Sequence, residues 1–340
     1  MSIREWIELD IDQMELEQVS ESEKKRVKHH VLNKKKKGTA WKKFVVAAAI
    51  LISAVASTTF AFPSVASQLP FMDNVISYFK DEDKQYINFE SFSSEIGLVQ
   101  ADNGITIMID NAVYDGTNIT VSYAIETEHD FGDTIHVRAP NWFEVAGSKG
   151  SGGTGGISKI SDSRYVGFSS FTPHFKSEEY PEIVNITWEP KGFYNPVTNT
   201  EVEGDWSFDF SLDRLEGNLQ LVNETITNTE VSFTLSSIEF TDVSTIISYH
   251  QSVQDSLLKD WESVSPVFYI TDNLGNKYMD GIGGLGTTDD DYKTFKGTTS
   301  FGAIHKDATQ LIIQPTEVAS LLYGKGHIEI KLNPIVIDIK

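Results

Sequence analysis

Cysteine is absent from the 340 residues of this chain, which excludes disulfides, thiol catalysis and cysteine-ligated zinc. Basic residues are scarce, 28 Lys and Arg against 49 Asp and Glu, for a net charge of −21. Without a basic stripe, direct binding to nucleic acid is disfavoured. The eight histidines show no HExxH spacing and no Gly-x-Ser-x-Gly elbow occurs, so the sequence offers no catalytic constellation. No catalytic, cofactor or metal residues are assigned, and the chain reads as a non-enzyme.

What is present is one long apolar run. Phe44 to Phe62, FVVAAAILISAVASTTFAF, carries no charge, and as a helix it spans roughly 28 Å, close to the hydrocarbon thickness of a bilayer. Pro63 would end it. Lys34, Lys35, Lys36, Lys37, Lys42 and Lys43 precede the run, and no charge follows until Asp73. The Lys/Arg excess marks the cytoplasmic flank, so the amino terminus is expected inside and the remainder outside the cell membrane. A cleaved signal peptide is the alternative, with Ser64-Val65-Ala66 as a small-residue site, but a 43-residue leader is too long for that.

Charge divides along the same line. Residues 1–23 carry −7, residues 24–43 carry +10 and residues 63–340 carry −24. The cationic collar suits an anionic inner leaflet of the lipid bilayer. An external portion lacking disulfides points to a Gram-positive source more than to a eukaryotic secretory product.

Beyond the run, Leu69 to Phe79 has the spacing of a short amphipathic helix (Phe71, Val75, Tyr78, Phe79). The pattern then turns to period two. Ile105, Ile107 and Ile109 alternate with polar or flexible residues, as do Ile119, Val121 and Tyr123, residues 183–188, and Trp206, Phe208, Phe210 and Leu212. Asp102-Asn103-Gly104, Asp115-Gly116, Lys191-Gly192 and Glu203-Gly204 supply turns. The pattern repeats: ITIMIDNAVYDGTNITVSY at 105–123 aligns without gaps on VSFTLSSIEFTDVSTIISY at 231–249, a shift of 126 residues that pairs seven apolar positions. Each copy is followed by a closing pair of strands, 183–188 with 206–212 and 309–313 with 327–332.

The expectation is a mainly β protein. Two tandem immunoglobulin-like β-sandwiches, 87–214 and 219–340, would meet at the joint Asp213 to Asn218. They would follow a cytoplasmic helical segment 1–43, a single transmembrane helix 44–62 and a juxtamembrane amphipathic segment 63–86. The glycine cluster Gly147 to Gly156 lacks the order and the following helix of a phosphate loop and reads as a flexible surface loop. Gly281 to Gly286, before Asp289, Asp290 and Asp291, lacks a calcium-loop ligand pattern and reads as a solvated turn. Asp272 to Asn276 reads as a hairpin turn.

The order of an acidic amino segment, a lysine collar, one anchor, LPFMDNVISYF, EIGLVQADNGITIMIDNAVYDGTNITVSYAIETE and a second β-domain with SSIEF and TDNLGNKY resembles a family of Gram-positive membrane proteins. These are the domain of unknown function 4179 proteins, with a 5643-type carboxy-terminal immunoglobulin-like domain. They are often labelled negative effectors of extracytoplasmic-function sigma factors. The resemblance covers essentially the whole chain and is most specific from Leu69 to Glu128. It implies an anti-sigma regulator whose inner segment holds a cytoplasmic sigma factor and whose outer domains sense an extracytoplasmic ligand or protease. The His and Cys pattern of zinc-type anti-sigma domains is absent.

The inner segment supports a partner-binding reading on its own terms. Ile3, Trp6, Ile7, Ile11 and Met14 share a helical face, Leu9 and Leu16 fall on another, and Ser20 to Glu23 forms a capping box opening a basic helix. At roughly 40 residues such a segment is too short to bury these side chains itself. The expected sigma-factor contacts are therefore Trp6, Ile7, Leu9, Ile11 and Met14. A surface-anchored binding or adhesion protein with a passive tether is the alternative function.

Overall fold

The computed structural model describes residues 88–339, except 139, 141, 176–179, 280–282, 289–291 and 322–325. The inner segment, the apolar run and the amphipathic stretch to residue 86 lie outside the described residues. Among the described residues no helix is long and apolar enough to cross a membrane, and the architecture is mainly β, built of antiparallel sheets.

The first domain starts with a single helical turn, α1 (Phe89–Phe92). Eleven strands follow: β1 (Ser94–Asp102), β2 (Ile105–Tyr114), β3 (Ile119–Thr127), β4 (His136–Val137), β5 (Glu144–Val145), β6 (Ser148–Ser161), β7 (Arg164–Phe175), β8 (Ile183–Trp188), β9 (Gly192–Asn195), β10 (Thr200–Glu203) and β11 (Phe208–Asp213). A five-stranded sheet runs β1-β2-β3-β7-β6, and two three-stranded sheets run β10-β9-β4 and β11-β8-β5. Alternating side chains bury Ile105, Ile107, Ile109, Val121 and Tyr123 from the large sheet in one cluster with Val184, Ile186, Trp188, Trp206, Phe208 and Leu212. Phe143 stacks on Trp188 at 4.7 Å between ring centroids.

The second domain contains β12 (Asn218–Thr227), β13 (Val231–Phe240), β14 (Ser244–Val253), the helical turn α2 (Asp255–Leu258), β15 (Ser263–Asp272), β16 (Lys277–Met279), β17 (Gly283–Thr288), β18 (Thr294–Gly302), β19 (Gln310–Ser320), β20 (His327–Lys331) and β21 (Ile335–Asp338). Its large sheet runs β12-β13-β14-β18-β17, position for position the order of the first domain. The facing sheet runs β16-β15-β19-β20, with β21 also on β19. Phe233, Leu235, Ile247, Phe268, Ile270, Leu311 and Ile313 fill the space between, a sandwich-like arrangement.

The repeat extends to individual pairs. Ile109 faces Tyr123 and Ala112 faces Val121 across a bulge; Leu235 faces Tyr249 and Ile238 faces Ile247 across a bulge. Each tyrosine then lies over a glycine of the next strand, Tyr123 over Gly167 and Tyr249 over Gly297. A Cβ at Gly167 would stand 2.3 Å from the Tyr123 ring, and one at Gly297 would stand 2.8 Å from the Tyr249 hydroxyl. Glycine is required at both positions because the ring occupies the space where a side chain would begin.

Three expectations are corrected. The glycine cluster is not a loop: Gly152 to Gly156 belong to edge strand β6, paired along β7. A Cβ at Gly153 would meet the Ser170 carbonyl at 2.3 Å, so the glycines permit close backbone approach. Gly283 to Gly286 likewise form edge strand β17, paired to β18, instead of a solvated turn. The second closing pair is divided: residues 310–313 pair with β21 and residues 316–320 with β20, because β19 is long enough to serve two partners. The Asp272 turn is present as expected, its carboxylate accepting from the Leu274 and Asn276 amides at 2.9 Å each.

One core residue conflicts with its surroundings. Glu317 occupies an inward position of β19, in step with Leu311, Ile313 and Ala319, is fully buried, and neither carboxylate oxygen has a hydrogen-bond partner. Burial pushes its pKa up to about 8. An acid whose pKa is higher folded than unfolded keeps its proton in the folded state while the unfolded chain releases it. Its contribution to stability is therefore most favourable below the unfolded value and falls as pH rises toward 8. Glu317→Gln is expected to raise the unfolding midpoint at pH 8 by roughly 5 °C and to flatten its decline between pH 5 and 8. Parallel melting curves for parent and variant across that range would contradict this.

Candidate functional site: the seam between the two β-domains

Asp115 follows β2 in an Asp-Gly turn. Its Oδ1 accepts from the backbone amides of Thr117 at 2.9 Å and Asn118 at 2.6 Å, the capping geometry for which this residue type is favoured in turns. The equivalent turn of the second domain is closed by Thr241, whose hydroxyl accepts from the amides of Val243 and Ser244 at 3.3 and 2.9 Å. These two turns meet. The Ser244 hydroxyl donates to Asp115 Oδ2 at 2.6 Å, and the Asn118 amide donates to Ser300 Oγ at 2.6 Å. Thr172 donates to the Asn118 carbonyl oxygen. Asp115, Asn118, Thr172, Ser244 and Ser300 are all buried.

Apolar and ionic contacts flank this network. Phe89 of α1, Val113 of β2 and Val243 of the second turn form a small buried cluster, with Phe168 and Leu215 against it. The connection between the domains is held down: the Leu215 amide donates to the Tyr114 carbonyl at 2.9 Å, and Arg214 forms a bridge with Tyr114. Arg214 pairs with Glu239 of β13 at 2.6 Å, with side chains 26% and 17% exposed. Burial opposes the guanidinium charge, but the Glu239 carboxylate prevails and holds its pKa above the ordinary arginine value. Burial likewise pushes the Tyr114 phenol up, keeping it a neutral donor to the carbonyls of Gly116 at 3.2 Å and Pro181 at 3.0 Å. Strand β17 also lies along β6 and β7, so the two glycine-rich edges meet.

Among the described residues no three His, Asp or Glu side chains are grouped to hold a metal ion. The predicted partner residues Trp6, Ile7, Leu9, Ile11 and Met14 lie outside the described residues, as do Asp289 to Asp291. Sequence reading reached the turn at Asp115 but not its partners. Asn118, in the turn before β3, and Ser244 and Ser300, in β14 and β18, are ordinary polar residues, and their one legible signal is that Asn118 and Ser244 occupy the same position of the repeat.

The fold and seam define a mainly β protein of two repeated sandwich-like units joined without a free linker. Residues 35–127 match the family model described as Domain of unknown function (DUF4179), and residues 218–339 match the one described as Family of unknown function (DUF5643). The solved structure titled "The crystal structure of the conserved domain protein from Bacillus anthracis" is similar at a TM-score of 0.67 and 24% identity, covering 75% of this chain and 94% of that one. That likeness bears on the fold alone. Collagen adhesin from S. aureus overlaps at a TM-score of 0.13 and 8% identity, covering 70% of this chain and 94% of that one, too low to indicate a shared fold. A search of curated proteins gives no match.

Removing Ser244 and Asn118 side chains together leaves the buried Asp115 carboxylate with backbone partners only, at a cost of about 1–3 kcal/mol for each lost bond. Ser244→Ala combined with Asn118→Ala is expected to speed tryptic cleavage after Arg214 at least tenfold while β-sheet circular dichroism is retained. Unchanged cleavage at Arg214 would show that these bonds do not hold the seam.

Proposed function

We propose that the chain is a single-pass membrane regulator of the anti-sigma type, its outer β-domains acting as one receptor and its inner segment holding an extracytoplasmic-function sigma factor. The observation that carries this reading is the seam. Passive display on a cell surface needs no fixed angle between modules, whereas relaying an external event requires that binding at one domain not be absorbed by a loose joint. Two buried hydrogen bonds, a partly buried ion pair and an apolar cluster fix that angle. The inner segment supplies the second half of the argument: Trp6, Ile7, Leu9, Ile11 and Met14 have no use in a tether and suit a protein surface that would bury them. The acidity of residues 1–23 favours a basic partner over an anionic lipid leaflet.

The test is co-purification of the full chain from its own cells, with mass spectrometry of the bound cytoplasmic proteins. A sigma factor should be recovered, and Trp6→Asp combined with Ile11→Asp should lower its recovery more than tenfold and derepress its target promoter. Equal recovery and equal repression with the double variant would overturn the anti-sigma reading and leave the tether.

A further inference from the structure

The large sheet of the first domain carries an apolar strip on the face turned away from its core. Val99 of β1 pairs with Met108 of β2, Met108 with Ala124 of β3, and Ala124 with Val166 of β7. The four share one row, and the alternation of a strand sets it opposite the inward Ile107, Ile125 and Tyr165. Ala124 and Val166 are buried, and with Phe168 they form a cluster separate from the core. Every member of that cluster belongs to β3 or β7, so among the described residues no apolar side chain from outside the sheet joins it. Ser122, one row nearer the seam, is also fully buried.

The second domain shows the same row facing water. At the shift of 126 residues Val99, Met108 and Ala124 become Thr225, Thr234 and His250, and His250 pairs in turn with Lys296. Thr225, His250 and Lys296 are exposed, and the two threonine hydroxyls bond each other at 2.8 Å. An antiparallel sheet face open to water is polar, as it is here. The matching row of the first domain is apolar and buried, which is the composition of a covered surface.

We propose that the cover is the chain's own amphipathic segment, Leu69 to Phe79, lying across the strip with Phe71, Val75, Tyr78 and Phe79 against Met108, Ala124 and Val166. The described chain begins at Asn88, and Phe89 packs with Val113 of the same face in a cluster that Phe168 also touches. Phe168 touches the Ala124 cluster as well, so apolar surface is continuous from the first residues of the domain to Ala124. Residues 80–87 reach up to about 27 Å when extended, more than the roughly 17 Å along β2 from Val113 to Met108. A helix over residues 69–79 is about 16 Å long, and the strip crosses roughly three strand spacings, about 14 Å. Ala124 and Val166 are buried within the single chain, so the cover comes from this chain and not from a bilayer or a second copy. Only residues 63–68 separate the segment from the apolar run, and this docking therefore holds the first domain close to the end of that run. The assignment rests on the sheet face and not on the regulator reading, so a failed sigma-factor recovery leaves it intact.

The chain has no cysteine, so single introduced cysteines report the cover directly. In the full chain in detergent micelles, Ala124→Cys is expected to react with a maleimide at least tenfold more slowly than His250→Cys, the equivalent exposed position of the second domain. Adding Val75→Asp and Tyr78→Asp should raise the Ala124→Cys rate at least tenfold, with β-sheet circular dichroism retained and the His250→Cys rate unchanged. Photoreactive benzoylphenylalanine in place of Tyr78 tests the contact in the otherwise intact chain, and adducts are expected within one chain on peptides carrying β2, β3 or β7. Equal labelling of the two cysteines in the parent, protection that survives the two aspartates, or adducts confined to detergent, lipid or a second copy would each overturn the proposal.

Discussion

Four donors converge on the buried Asp115 carboxylate: the amides of Thr117 and Asn118, the Asn118 side chain at 3.3 Å, and the Ser244 hydroxyl. Three come from its own turn and one from the other domain, so satisfying this carboxylate fully requires the two domains to be docked. A buried carboxylate is costly without such partners. Docking in turn sets the rest: it places Val243 against Val113 and Phe89, brings Arg214 within reach of Glu239, and lays β17 along β6 and β7. The seam is therefore a single cooperative contact in which polar satisfaction and apolar burial depend on each other.

The two domains share a large sheet and differ in the sheet that covers it. The shared part is where side-chain packing dictates backbone choice, as in the tyrosine lying over glycine in each copy, Tyr123 on Gly167 and Tyr249 on Gly297. The covering sheets diverge: two short three-stranded pieces in the first domain, and one continuous sheet organised about the long β19 in the second. Buried side-chain polar atoms without a hydrogen-bond partner occur in both domains, including Ser93 and Trp188 in the first and Thr245, Gln251, Thr316 and Glu317 in the second. Buried polar groups left without partners tend to mark strain or function instead of packing, and the one carboxylate among them, Glu317, stands in the core of the second domain.

Much of this architecture is legible in the sequence. Strict alternation locates β2, β3, β13 and β14, and the 126-residue shift reproduces their pairing because identical hydrogen-bond parity forces identical burial patterns. Turn residues are equally readable, since Asn103 and Gly104 adopt the positive φ their types permit. The glycine-rich edges are not legible. Glycine runs signal freedom locally, and only the neighbouring strand, pressing its carbonyls to where a Cβ would stand at Gly153, turns that freedom into a strand. The seam is hidden for a similar reason: Asn118 and Ser300 are 182 residues apart, and no local pattern links a turn asparagine to a strand serine. The inner segment is the reverse case, where the sequence carries the argument and the described residues do not reach it.

Coupling across the seam requires the two β-domains to behave as one body. The absence of native cysteine allows a clean measurement: cysteines introduced at exposed strand positions Asp209 in the first domain and Tyr269 in the second, each carrying a nitroxide, with the distance between them read by double electron–electron resonance. The seam predicts a single narrow distance distribution that broadens when Ser244→Ala and Asn118→Ala are added. A broad or two-peaked distribution in the otherwise unmodified chain would contradict it.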